Sequence, residues 1–111
     1  MADPVNPDLL PGTLYLMILR TLNRGPLHGY AIAQRIRTWS RGEFHIDDGS
    51  LYPALNRMLV KGWLTAEWGT SANNRRARFY RLTPEGRRQL ERESSAFKRM
   101  VRGIQMVLRA N

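Results

Sequence analysis

The densest chemistry in the chain lies in "GTSANNRRARFYRLT". Asn73 and Asn74 precede arginines at 75, 76, 78 and 81, and no acidic residue stands between Gly69 and Thr83. A guanidinium is a permanently charged fork that matches phosphate oxygens. Each one that meets a nucleic-acid phosphate releases a counterion, and an arginine can also enter a narrow minor groove. Charge on a strand edge that blocks aggregation is the plainer explanation. Four arginines without an acid exceed that need, and Arg81, at the base of the run, is the one a structural role would cover. A second pair, Asn56 and Arg57, has the donors and acceptors to read base edges, with a solvated helix surface as the alternative. His28, His45, Asp47, Asp48 and Ser50 are the only catalytic-looking collection along the chain. A lone histidine in a helix turn usually caps or packs, and two separated histidines make a poor zinc site. Asp47 and Asp48 read better as charges favoured by a helix dipole. We therefore expect no enzyme: no catalytic residue, no metal and no cofactor.

Eighteen Lys and Arg against nine Asp and Glu give the 111 residues a net charge of +9, unevenly placed. Residues 1–48 hold five basic and five acidic side chains, whereas residues 49–111 hold thirteen and four. Such asymmetry points to a polyanionic partner, nucleic acid before an anionic membrane surface. The length suits one domain. The absence of cysteine suits a reducing cytoplasm. Residues 9–22 are the most apolar stretch, but Arg20 and the length argue against a membrane-spanning helix. "MADPVNPD" lacks the basic region of a secretory signal.

These groups need elements to position them. After the proline-punctuated "NPDLLPG", "TLYLMILRTLN" places Leu14, Met17, Ile18 and Leu22 at helical spacing, with Leu16 and Leu19 widening the apolar surface. Such a helix is central. "RGPLHG" breaks it, and "YAIAQRIRTW" resumes through Tyr30, Ala33 and Ile36. "GEFHIDDG", with Phe44 and Ile46 alternating, suggests a minimal strand. Pro53 belongs in the first turn of the next helix, since proline tolerates positions whose N–H is already unused. That reasoning puts the N-cap at Ser50 or Gly49. Leu51, Leu55, Met58 and Leu59 then share one face. Pro53, Asn56, Arg57 and Val60 share the other, beside Ser50 and Lys61. Gly62 is the stop.

"WLTAEW" and "ARFYRL" alternate on either side of "GTSANNRR", which predicts a hairpin with Arg75 and Arg76 in its loop and Arg78 on the second strand. Trp63 and Trp68 are expected to pack on the hairpin. Thr83 and Pro84 read as an N-cap and a first helical position. In the final helix Leu90, Ser94, Phe97, Val101, Ile104 and Leu108 step by 4, 3, 4, 3 and 4, a heptad seam broadened by Met100 and Val107. So small a domain would leave that seam exposed, and a second copy would cover it. Arg92, Lys98, Arg99, Arg102 and Arg109 on the other face would also suit a membrane-surface helix.

The order of elements predicts a mainly α fold with a small β-hairpin. It is a winged helix-turn-helix over residues 1–83 with a dimerisation helix over 84–111, forming one compact unit. In that arrangement the third helix enters a major groove and the hairpin, or wing, lies along the backbone or minor groove. A two-fold dimer would read a pseudo-palindrome with half-sites about 10 bp apart. An RNA-binding or membrane-surface module without operator specificity is the alternative.

"PGTLYLMILRTLNRGPLHGYAIAQRI", "GSLYPALNRMLVKGWLTAEW" and "RARFYRLTPEGRRQL" resemble the PadR family of winged-helix transcriptional regulators, from Leu10 to about Leu90. "LHGY", "GSLYPAL" and the "YxLTxxG" ending are specific in combination. The single C-terminal helix resembles the small-subfamily members. The resemblance implies a homodimer whose last helix packs on the partner's first helix. Leu14, Met17 and Ile18 would then join Leu90, Phe97, Met100, Val101, Ile104, Val107 and Leu108 at the interface. It implies repression at an inverted repeat in double-stranded DNA, relieved in several members by a small aromatic or amphipathic effector. Ser50, Tyr52 and Pro53 match the start of the family's recognition helix, with Asn56, Arg57 and Lys61 following. The Tyr52 hydroxyl could reach a phosphate or serve as a core-edge tyrosine. Asn74, Arg75, Arg76 and Arg78 fall on the wing. Trp39 is the candidate for a pocket at the dimer interface, against ordinary packing at a helix end.

Overall fold

The structure is a computed structural model and describes residues 12–111. The "NPDLLP" punctuation therefore lies outside the described residues. Helix α1 spans Thr13–Thr21 and runs into a 3-10 turn at Leu22–Arg24. Strand β1 is Leu27–His28, α2 Gly29–Trp39, α3 Asp48–Val60, β2 Leu64–Thr70, β3 Arg76–Leu82 and α4 Pro84–Arg109. The sheet is antiparallel in the order β1-β3-β2.

The core lies where the apolar stripes of the first three helices meet the base of the sheet. Ile18, Leu19, Ile32, Leu51, Leu55 and Met58 are inaccessible to solvent, and Leu64, Tyr80 and Leu82 close the cluster from the sheet. α1 is central, as its wide apolar surface predicts. In α2 the buried pair is Ile32 and Ile36, while Tyr30 faces solvent, opposite to its place in the expected stripe.

Two local expectations are corrected. Residues 44–47 form no strand: Ile46 is buried and Phe44 half-buried, and the Phe44 N–H donates to Ser40 Oγ at 3.0 Å. The sheet instead gains its third strand at Leu27–His28, whose partners Tyr80 and Phe79 lie on β3. α3 also starts earlier than Pro53 suggested. Asp47 is the N-cap, its Oδ1 accepting from Ser50 N at 2.8 Å. Pro53 is thus inside the helix, and the missing N–H falls opposite the carbonyl of solvent-exposed Gly49, where water can replace the lost bond. At the other end Gly62 takes φ 77°, and Trp63 N–H reaches Met58 O at 3.0 Å, a glycine-terminated helix end.

The joint between wing and α4 explains "LTPEG". Thr83 Oγ1 accepts from Gly86 N at 2.9 Å and donates to Gly62 O at 2.7 Å. A Cβ on Gly86 would sit 2.2 Å from Trp63 O, so only glycine lets the helix start lie against that turn. The 26 residues of α4 extend about 39 Å at 1.5 Å per residue. Its first half packs on α1. Leu90, like Leu14 and Ile18 on α1, is buried in the protomer's own core, Ile18 completely. Beyond them Met100, Ile104, Val107 and Leu108 are exposed, Leu108 at 77%.

Candidate nucleic-acid interface

The wing turns at Ala72–Asn74. Asn74 N–H donates to Ser71 O at 2.9 Å, Ser71 N–H donates to Arg75 O at 2.8 Å, and Asn74 adopts φ 61°, which asparagine tolerates better than most residues. Arg75 is the last loop residue. Arg76, expected in the loop, instead opens β3 opposite Thr70. The register places Trp68 opposite Arg78 and Ala66 opposite Tyr80, so Thr70, Arg76, Trp68 and Arg78 occupy one face above buried Tyr80. Glu67 pairs with Phe79 on the reverse face, with Arg81 beyond it opposite Thr65. Trp63, expected to pack on the hairpin, instead lies edge-on to Tyr15 of α1. Trp68 does not bury itself: it is 60% exposed, with Arg76 Cζ 4.7 Å from its ring centroid.

That wing face looks across an open cleft of about 1160 Å³ toward α2 and α3. Arg35, Arg75, Arg76 and Arg78 line it together with Tyr30, Gln34, Tyr52 and Asn56, and no lining residue is acidic. The two ion pairs among the described residues both belong to Glu85, at 2.7 Å to Arg88 and 3.0 Å to Arg92. The cleft guanidiniums therefore keep their charge unneutralised. Arg35, Tyr30 and Gln34 escaped the sequence reading because they sit in the charge-balanced half. Tyr30 Oη accepts from Gln34 Nε2 at 2.6 Å, and its ring stacks on His28.

α3 presents two flanks. Tyr52 and Asn56 border the cleft. The Tyr52 ring lies over Gly29, where a Cβ would be 2.6 Å from Oη and 2.8 Å from Cε1, and this gives "LHGY" its glycine. Burial raises the Tyr52 pKa, with smaller contributions from Asp48 and Tyr80, so its hydroxyl stays a proton donor at neutral pH. Pro53, Asn56 and Val60 lie on the outward face, Val60 at 89% exposure. The sequence had placed Val60 on this face without giving it a task. An exposed valine there offers a methyl-sized contact of the kind that thymine methyl groups take. On the opposite flank Arg57 Nε donates to Tyr15 Oη, with its guanidinium over the Tyr15 ring, and Lys61 lies over Trp63.

The N-terminus of α3 is occupied by the chain's own carboxylates. Asp47 holds the Ser50 N–H, and Asp48 adds a second carboxylate in the first turn. Both repel an anion there. The N-terminus of α2 has no acid in its first turn and borders the cleft; His28 Nδ1 caps it by accepting from Ala31 N at 3.2 Å. That bond assigns His28 a structural role. Among the described residues no His, Cys, Asp and Glu group could hold a metal ion.

A second cavity of about 600 Å³ lies between α1, the end of α2 and α4, lined by Met17, Ile36, Trp39, Phe44 and Phe97 with Arg20 and Lys98 at its polar side. Trp39 is half-exposed, with Arg35 and Arg24 over its ring at 5.5 Å and 6.0 Å.

Three helices, a hairpin wing and a basic cleft beside the third helix define a winged-helix protein of the transcription-regulator type. Comparison with known proteins narrows this. The profile of the Transcriptional regulator PadR-like family matches residues 18–92, and the chain belongs to that family. Its members are transcription regulators, not enzymes. Transcriptional regulator Rv3488 of Mycobacterium tuberculosis is 32% identical over 89 residues, 80% of this chain and 79% of that protein. A PadR family regulator from Eggerthella lenta superposes with a TM-score of 0.77 at 29% identity, covering 94% of this chain and 88% of its own. Bacillus subtilis PadR in complex with operator DNA, 24% identical, shares the fold with a TM-score of 0.63 over 71% of this chain and 45% of that one.

Proposed function

We propose that this regulator binds a pseudo-palindromic operator as a homodimer, with α3 in the major groove and the wing against the adjoining backbone. The observation that carries this reading is the acid-free cleft. In winged-helix docking, the phosphate strand that separates major from minor groove passes between recognition helix and wing. Here that gap is lined by four unpaired arginines, by Tyr52 and Asn56, and by the acid-free start of α2. The Bacillus subtilis relative, seen with operator DNA, supports the same use of the fold. Asn56 and Val60 are the groups that read bases, and Arg75, Arg76 and Arg78 supply grip. The exposed apolar half of α4 supports dimerisation through Phe97, Met100, Val101, Ile104, Val107 and Leu108. The role places the protein in the cytoplasm beside the genome. Repression is the mode of action, and a small aromatic or amphipathic effector would release it; the apolar cavity holding Trp39 and Phe97 supports that part of the reading.

Selection of duplexes from a random library with the full chain tests the proposal. Enriched sites should contain inverted half-sites about 10 bp apart. Asn56→Ala should cost about 1–3 kcal/mol at particular base pairs while sparing others. Equal loss on every sequence would make Asn56 a backbone contact. Preference for RNA or anionic vesicles over every duplex would overturn the reading in favour of the basic-module alternative.

A further inference from the structure

The exposed Trp68 has no role in the core, and its position asks for another explanation. Of the arginines stacked on aromatic rings among the described residues, Arg76 lies closest to its ring, 4.7 Å from the Trp68 centroid. The pair stands on the last rungs of the hairpin: Thr70 faces Arg76 and Trp68 faces Arg78. Trp68 can therefore hold the Arg76 guanidinium from one side while its other side and its N–H edge stay open. Arg78 lies 5.9 Å from buried Tyr80, deeper in the cleft, where the phosphate strand would run. Arg75, on the loop, has no ring beneath it.

A guanidinium is weakly hydrated for a cation, and one already ordered on an indole loses less freedom when it binds. Those two properties suit entry into a narrow minor groove, whose enhanced negative potential marks A·T tracts. We propose that Trp68 is a positioning residue that holds Arg76 as the wing's minor-groove reader. The consequence is a preference for A·T-rich flanks beyond the base pairs that α3 touches. The inference rests on the operator-binding reading above and adds a specificity element to it.

The test uses the full chain and one selected operator core carrying either A-tract or G·C flanks, with affinities measured by fluorescence anisotropy at one salt concentration. The native protein should bind the A-tract duplex several-fold more tightly. Trp68→Ala should abolish that ratio but leave the G·C-flanked affinity and the salt slope unchanged, because no charge is lost. Trp68→Phe should retain part of the ratio. Arg76→Lys, which keeps the charge without the planar fork, should abolish it independently of any effect of removing the indole. Equal ratios in the native protein and Trp68→Ala, or equal loss on both flanks, would overturn the inference. Tight duplex binding with no flank preference would overturn it and leave the operator reading standing, whereas absence of duplex binding would overturn both.

Discussion

Arg75→Ala with Arg78→Ala gives the sharpest test of how the wing works. Both side chains line the cleft, neither pairs with a carboxylate, and both are solvent-exposed, so their loss should leave the fold intact. Each arginine–phosphate contact contributes about 0.9 to the slope of log affinity against log salt. Two contacts per protomer are worth about 1.8, and a two-fold dimer seated on both half-sites doubles this to about 3.6. Each doubling of salt should then narrow the affinity gap between native and variant protein about twelvefold. Anisotropy titrations from low to moderate salt measure both slopes on the same duplex. A difference near 1.8 would mean that only one wing engages and would refute the two-fold arrangement. Parallel lines would refute phosphate contact by these residues altogether, however large the loss in affinity. The substitution should also weaken selected and random duplexes alike, since phosphate contacts carry no sequence information.

Three further outcomes follow from the geometry. Gly86→Ala should destabilise the fold by about 1–3 kcal/mol in denaturant melts, because the added methyl meets the Trp63 backbone, and Gly103→Ala, in open space on the same helix, should not. Ile104→Asp with Leu108→Asp should shift a dimer to monomer in sedimentation, while Ile18→Asp should unfold the chain, since Ile18 lies inside the protomer. Hydrogen bonds from Arg88 and Arg92 hold the Glu85 carboxyl below its usual range, so its contribution is present above the unfolded pKa and lost as pH falls through the folded one; a carboxyl titration by NMR should show the low midpoint, and Arg88→Ala with Arg92→Ala should restore the ordinary one.

What could be read from the sequence was local in origin. The Thr83 cap, the Pro84 start and the Gly62 stop are each decided within a few residues, and each stands where the pattern put it. The wide apolar surface of α1 needed only helical periodicity. The strand β1 could not be found that way: two residues carry no alternation, and Leu27–His28 become a strand only because β3 arrives beside them. The start of α3 is not legible from Pro53, because Asp47 caps the helix six positions before it and the exposed Gly49 carbonyl can bond water in place of the missing N–H.

The site was legible by type and less so by arrangement. The arginine run advertised a phosphate grip, but strand register decides which arginines face the cleft, and Arg76 joined that face by pairing with Thr70. Arg57 looked equivalent to Asn56 on the exposed side of α3, yet Tyr15, 42 residues away, holds its Nε and turns it to the opposite flank. The glycines of "LHGY" and "LTPEG" likewise have reasons that lie elsewhere in the chain, in the Tyr52 ring and the Trp63 carbonyl. These contacts tie the motifs together physically. Gly29 seats the tyrosine that borders the cleft, and Gly86 joins the wing to α4. Enlarging Gly29 should therefore displace Tyr52 and weaken duplex binding in a protein whose arginines are all intact, a loss that extra charge on the wing should not restore in sequence-selective form.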